Sequence, residues 1–270
     1  MPRRVYLCPP DHYQITYSIN EWMDVNQPVN PALAHEQWET LRAAYHHLGV
    51  EVRLLDPEPG LPELTFPGDS IFLFNQHAVR SRFRHREREP EVEPMARRFA
   101  ARGYTLHTLP DGQHFEGNAE TIYWNGQLMG GCGIRSDCEV FTYLSQLLDV
   151  KAHAFTLCPP YFHFDVAFAP VSHDTALYYP GAFTPDAVER LRRLCPNLIV
   201  VEEAEARVLA CNSVTVNGTV VMSTPLAPHT AAQLRAYGLE VVTLDLSEFR
   251  KAGGGAKCLT LEAYGGAPDF

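Results

Sequence analysis

Short apolar runs alternate with longer amphipathic stretches along the whole chain. RVYLC, EVRLL, SIFLF, NLIVV and VVTLDL read as single strands, and TIYWNGQLMGG and VTVNGTVVMS read as hairpins. Each hairpin run carries an Asn-Gly pair, Asn125-Gly126 and Asn217-Gly218, which tolerates the positive φ of a two-residue turn. Between the strands, ALAHEQWETLRAAYHHLG repeats apolar residues at helical spacing and stops at Gly49, and PMARRFAARG does the same up to Gly103. TPDAVERLRRL predicts a helix with Thr184 as N-cap before Pro185, and TAAQLRAYG predicts one that opens with Thr230.

This strand–helix–strand pattern returns roughly every fifty residues, the behaviour of a repeat architecture. A literal echo agrees with it: YLCPPDHYQ at 6–14 is answered by TLCPPYFHF at 156–164. The expected fold class is α/β, with repeated β/α units around an axis and loops from several units converging on one central site.

Composition narrows the partners. The 270 residues are 46% hydrophobic, enough for a sizeable core, and the formal charge is −10. That field disfavours nucleic acid and anionic membrane and suits a small cationic substrate. The basic stretch RSRFRHRERE at 80–89 is salted with acids and reads as a solvated helix end or loop. No apolar run reaches the roughly 18 residues of a membrane span, and MPRRVYLCPPDH lacks the apolar core of a signal peptide. Seven cysteines, an odd number with no C-x-x-C pair, point to a reduced cytoplasmic protein without a structural zinc site.

Candidate chemistry starts at AGGGAKCLTLE, where Gly253, Gly254 and Gly255 run into Lys257 and Cys258. Glycines permit unusual backbone angles and close approach of a ligand, although a bystander thiol in a loop is the plain alternative. A nucleophilic cysteine needs a proton partner, and His163 in YFHFDVAF is the candidate. On a strand, His163 and Asp165 share one face while Phe162, Phe164 and Val166 take the other. Glu116 and Glu120 flank a glycine in HFEGNAE, and Arg135 follows the glycines of LMGGCGIRSD, where it suits a carboxylate held bidentately. Glu63 and Asp69 lie around the turn signal Pro67-Gly68-Asp69, and Asn20 in YSINEWM reads equally as a cap.

The ordered set CPPDHYQITYSIN, PELTFPGD, FEGNAE, GIRSD, FHFD and GGGAKCLT resembles the guanidino-group-modifying superfamily. That superfamily includes arginine deiminases, dimethylarginine dimethylaminohydrolases, amidinotransferases and arginine dihydrolases. SRFRH, YYPGAF, VVEEAEA and ACNSV are most similar to the arginine dihydrolase branch. The resemblance implies a five-fold pseudosymmetric α/β propeller of ββαβ-type units, formed as one catalytic domain over 1–270. It implies Cys258 as nucleophile, His163 as acid and base, and Glu120 as the partner of His163. Asp69 and Asp165 would grip the guanidinium and Arg135 the α-carboxylate, with Asn20, Glu63 and Glu116 completing the substrate-binding set. No metal or cofactor is implied, and self-association into a homo-oligomer is compatible with the pattern. Three departures stand out: Glu120 where the family usually has Asp, Glu63 where it often has Asp, and Asp69 where the dihydrolases carry Asn. Asp69 leans the expectation toward a simpler deiminase-like or dimethylaminohydrolase-like reaction.

The expected function is hydrolysis of a C–N bond of arginine or a methylated or close derivative, through a covalent cysteine thiouronium. An amidinotransferase, a non-catalytic arginine-binding protein and a metal-dependent hydrolase on His163 and Asp165 are the rival expectations.

Overall fold

The computed structural model describes residues 4–266. Residues 1–3 and 267–270 of the expected domain lie outside the described residues. The fold is mixed α/β and repeats one motif five times: two antiparallel strands, a helix, and a third strand parallel to the second. The first motif contains β1 (Arg4–Leu7), α1 (Pro31–His47) and β2 (Glu51–Leu54). The second contains β3 (Ile71–Phe74), β4 (His77–Arg80), α2 (Val92–Ala101) and β5 (Thr105–His107). A short helix, α3 (Gly117–Glu120), leads into β6 (Thr121–Trp124), β7 (Gln127–Cys132), α4 (Val140–Leu148) and β8 (Lys151–Thr156). The fourth motif contains β9 (Phe168–Pro170), β10 (Thr175–Tyr178), α5 (Pro185–Leu194) and β11 (Asn197–Val200). After α6 (Glu203–Arg207) come β12 (Val214–Val216), β13 (Thr219–Met222), α7 (Pro228–Ala236) and β14 (Glu240–Thr243). Finally α8 (Ser247–Arg250) leads to β15 (Leu261–Tyr264), which pairs antiparallel with β1 and so completes the first motif from the other end of the chain.

Three of the motifs are separate three-stranded sheets; the other two are joined through β15 and β3 into a six-stranded one. The helices bury one stripe each. In α1 that stripe is Ala34, Trp38, Leu41 and Tyr45, spaced as the periodicity requires. Asn30 caps α1, accepting from the Leu33 N–H at 3.2 Å, and Gly49 leaves the helix at φ +71°.

Both Asn-Gly turns form as expected, with φ of +51° and +76° at Asn125-Gly126 and +48° and +85° at Asn217-Gly218. Three local expectations need correction. Thr184 sits at the N-cap of α5 in extended backbone, but its hydroxyl makes no capping bond. Helix α7 starts at Pro228, so Thr230 lies in its first turn, where the Glu205 carboxylate accepts from its N–H and hydroxyl. The cysteines are not all reduced: Cys132 and Cys138 form a disulfide, with Cα atoms 5.0 Å apart. Gly133, at φ +97°, turns the chain so that a six-residue separation closes a loop. Among the described residues no helix is long and apolar enough to cross a membrane.

Candidate active site

The five motifs share more than topology. The segment that enters the first strand of each motif carries a polar, buried side chain: Asp69 before β3, Glu116 and Glu120 before β6, His163 and Asp165 before β9, Asn212 before β12, and Cys258 before β15. Segments 67–70, 117–120 and 164–166 are short helical turns, which point successive side chains in different directions. Gly117 is essential to this geometry. It sits at φ +57°, and a Cβ there would overlap the carbonyl oxygen of Gly68.

His163 is therefore not on a strand. It has extended backbone just before the turn Phe164–Val166, whose Phe164 and Val166 side chains go into the core as expected. Its Nε2 is 2.7 Å from Oε2 of Glu116. This corrects the expected pairing with Glu120, whose Oε2 instead accepts the Phe164 N–H at 3.1 Å. Both carboxylate oxygens of Glu116 already have protein partners, with Oε1 accepting the Arg84 N–H at 3.3 Å. Its Oε2 also takes the Arg135 guanidinium at 2.8 Å, and Ser136 Oγ accepts its main-chain N–H at 3.1 Å. Burial raises the Glu116 carboxyl, but Arg135 and the hydrogen bond to His163 outweigh it and hold the group far below the usual carboxylate range. Burial opposes charge on His163, but the Glu116 bond and the Asp69 charge prevail and raise its pKa. Its Nδ1 has no partner. Glu120 is pushed the other way, up to about 8, chiefly by burial.

Arg135 is 2% exposed. It donates to Glu116 and, at 2.9 Å, to the Ile19 carbonyl, and its guanidinium carbon is 5.0 Å from the centre of the Phe162 ring. The disulfide Cys132–Cys138 closes the loop that carries it. Asn20 holds the neighbouring 20–23 turn, where it accepts from the Trp22 and Met23 N–H groups and donates to the Ala252 carbonyl at 3.0 Å.

The sequence reading missed Arg88. The stretch 80–89 is not simply solvated: Arg88 is 2% exposed and inserted among Glu63, Asp69 and Glu91. Its Nε is 3.1 Å from Glu63, one Nη is 2.8 Å from Glu91, and the other bonds Asp69. The R-x-x-E spacing of Arg88 and Glu91 was a signal, but not one that separates this cage from an exposed i,i+3 pair. Even beside Arg88, burial keeps Glu63 up at about 7.

Cys258 is buried, and its thiol donates to Asp165 Oδ2 at 3.5 Å. Burial pushes the thiol well up, and the charges of Asp165 and Asp69 push the same way. Asp165 is itself raised to about 6, mainly by burial. Cys258, His163, Glu63, Asp69, Arg88, Arg135, Asn20 and the glycines 253–254 line one narrow cleft. Around it, Glu63 Oε1, Asp69 Oδ1 and Asp165 Oδ1 are buried acceptors without a partner. A buried polar atom left unpaired is costly, and unpaired carboxylate oxygens of cleft-lining Glu63 and Asp69, with Asp165 beside Cys258, suit a planar cationic donor. Among the described residues, no group of three or more His, Cys, Asp or Glu side chains is arranged to hold a metal ion.

Comparison with known proteins agrees with this chemistry. The model of the eukaryotic N,N dimethylarginine dimethylhydrolase family matches residues 11–264. The N(G),N(G)-dimethylarginine dimethylaminohydrolase of Mycobacterium tuberculosis is 37% identical over 97% of this chain and 86% of its own length. The bifunctional arginine dihydrolase/ornithine cyclodeaminase AgrE of Nostoc is 35% identical over 96% of this chain, which spans only 37% of that larger protein. Among solved structures, the N-terminal domain of the cyanobacterial arginine dihydrolase ArgZ covalently bound to a reaction intermediate superimposes with a TM-score of 0.91. It is 32% identical, covering 96% of this chain and 97% of that one.

Proposed function

Because the chain belongs to the N,N dimethylarginine dimethylhydrolase family and is a hydrolase of guanidino C–N bonds, we propose that it hydrolyses arginine or an N-methylated arginine through a thiouronium ester on Cys258. The observation that carries the reading is the set of unpaired carboxylate oxygens of Glu63, Asp69 and Asp165 around the cleft that Cys258 and His163 line.

A guanidinium is planar and resonance-stabilised, so water attacks it slowly. Asp69 and Asp165 hold it flat with its carbon near Sγ, Glu63 adds an acceptor, and Arg135 takes the α-carboxylate. In the empty cleft burial and two carboxylates keep Cys258 a thiol. The bound cation offsets both carboxylates, and Cys258 releases its proton to bulk water. The thiolate forms an S–C bond to the guanidino carbon. His163 Nδ1 gives its proton to the nitrogen that leaves, and the C–N bond breaks to free an amine. Water, deprotonated by the same nitrogen, then attacks the thiouronium carbon, and the C–S bond breaks to restore the thiolate. Glu116 holds the ring through Nε2 and favours its protonated form.

The five repeated motifs, each lending a side chain from the same position, support their closure round one axis as blades of a propeller that forms a single catalytic domain. The test is a product assay on arginine and on dimethylarginine, with citrulline, ornithine, ammonia and dimethylamine quantified together. Citrulline with ammonia from arginine, citrulline with dimethylamine from dimethylarginine, or ornithine with about twice as much ammonia each supports the reading and fixes the substrate. A folded enzyme that yields none of these, or that needs an added amine acceptor, contradicts it.

A further inference from the structure

The fifth participant in the ring of strand-entry residues is Asn212, which occupies in its motif the place that Asp69, Asp165 and Cys258 occupy in theirs. It is fully buried. Its Oδ1 accepts the consecutive N–H groups of Lys257 at 3.1 Å and Cys258 at 3.2 Å. Two backbone donors at one atom identify that atom as the oxygen, so the nitrogen is the other. That Nδ2 donates to Cys258 Sγ at 3.1 Å and to the Asp165 carbonyl at 3.3 Å. Next to it, the Ser223 hydroxyl bonds the Asn212 carbonyl and accepts the Ala256 N–H at 2.7 Å. A Cβ on Gly255 would collide with Ser223 Oγ, so only glycine lets the loop into this clamp. A carboxamide joins an acceptor and a donor on one rigid plane, and both are used here.

We infer that Asn212 is a catalytic residue, whose N–H bond to the Cys258 sulfur aims the thiolate and stabilises its charge when it forms and when it leaves. Leucine in place of asparagine would give the loop a neighbour but no donor, and serine carries its hydroxyl donor on a side chain too short to serve both the loop N–H groups and the sulfur. Aspartate would keep the acceptor for the two backbone N–H groups and lose the donor to sulfur. Of the other groups that act on the thiol, the Gly255 backbone also favours the thiolate, while Asp165 and Asp69 are acceptors that oppose it.

The inference rests on Cys258 as nucleophile, and its test needs no turnover. The rate at which iodoacetamide alkylates Cys258, followed on the Cys258 peptide at pH 8, is compared in the unaltered protein, Asn212→Asp and Asn212→Ser. Loss of the donor, with the added negative charge beside the sulfur, is expected to slow alkylation roughly tenfold or more in Asn212→Asp, and donor loss alone is expected to slow it in the uncharged Asn212→Ser. A merely structural role loosens the loop, exposes the thiol and leaves alkylation unchanged or faster. That result in both variants overturns the inference. Should Asn212→Asp fail to fold, Asn212→Ser carries the same comparison. In turnover assays kcat is expected to fall at least tenfold with KM within threefold. If no guanidino compound is turned over while the alkylation rates separate as expected, the reaction reading fails and the assignment of Asn212 stands.

Discussion

Nε2 of His163 and Oε2 of Glu116 lie 2.7 Å apart, and this contact leaves Nδ1 as the ring nitrogen without a partner. The pair fixes both the orientation of the imidazole and its preference for the charged form. Glu116→Gln removes the charge but keeps an acceptor. We expect kcat/KM to fall by about two orders of magnitude, the scale of acid–base catalysis. We also expect the alkaline limb of the pH–rate profile to move to lower pH, because His163 then loses its proton earlier. Glu120→Gln should cost less than tenfold, since Glu120 bonds a backbone N–H and not the ring. Equal losses in the two variants, or an unmoved alkaline limb in Glu116→Gln, would contradict this assignment.

Substrate binding should release protons. Asp165 titrates at about 6 and Glu63 at about 7 in the empty cleft, with burial the main cause for each. Groups with raised pKa values hold protons that an arriving cation expels, so affinity rises with pH across this window and is lost below about pH 6. Calorimetry in two buffers of different ionisation heat measures the release directly. Proton uptake, or a KM that does not change between pH 5.5 and about 7.5, is the opposing result.

Arg88 makes a stability prediction. Arg88→Met leaves Glu63, Asp69 and Glu91 buried without their cation. Removing one partner of such a cluster costs about 3–5 kcal/mol, so the thermal midpoint should drop clearly in a melt. Arg88→Lys should recover little, because a point ammonium cannot serve three carboxylates placed around a planar fork. A melt of Arg88→Met that matches the unaltered protein would show that the cage is not structural.

The disulfide should act on substrate affinity before rate. Cys138→Ser opens the loop that carries Arg135. A loop this short contributes about 2 kcal/mol on the chain-entropy model. KM should rise more than kcat falls if Arg135 holds the substrate's carboxylate. A kcat loss with unchanged KM would instead place the effect on Glu116 and His163.

What the sequence made legible was local. Alternation and Asn-Gly pairs exposed the hairpins, helical spacing exposed α1 and α2, and the glycines before Cys258 drew attention to the loop that carries it into the cleft. What it hid depended on tertiary neighbours. Arg88 looks solvated because Asp69 and Glu63 lie 19 and 25 residues away and meet it only in the fold. The choice between Glu116 and Glu120 turns on the direction of a four-residue helix. Asn212 reads as an ordinary loop polar residue until the β15 entry segment packs on it, 46 residues later in the chain.

A covalent bond at Cys258 is tested by the mass of the enzyme quenched in acid during turnover of arginine or dimethylarginine. An adduct of substrate minus its departing amine is expected, confined to the Cys258 peptide, with no turnover and no adduct in Cys258→Ala. Near-normal turnover by Cys258→Ala would contradict it.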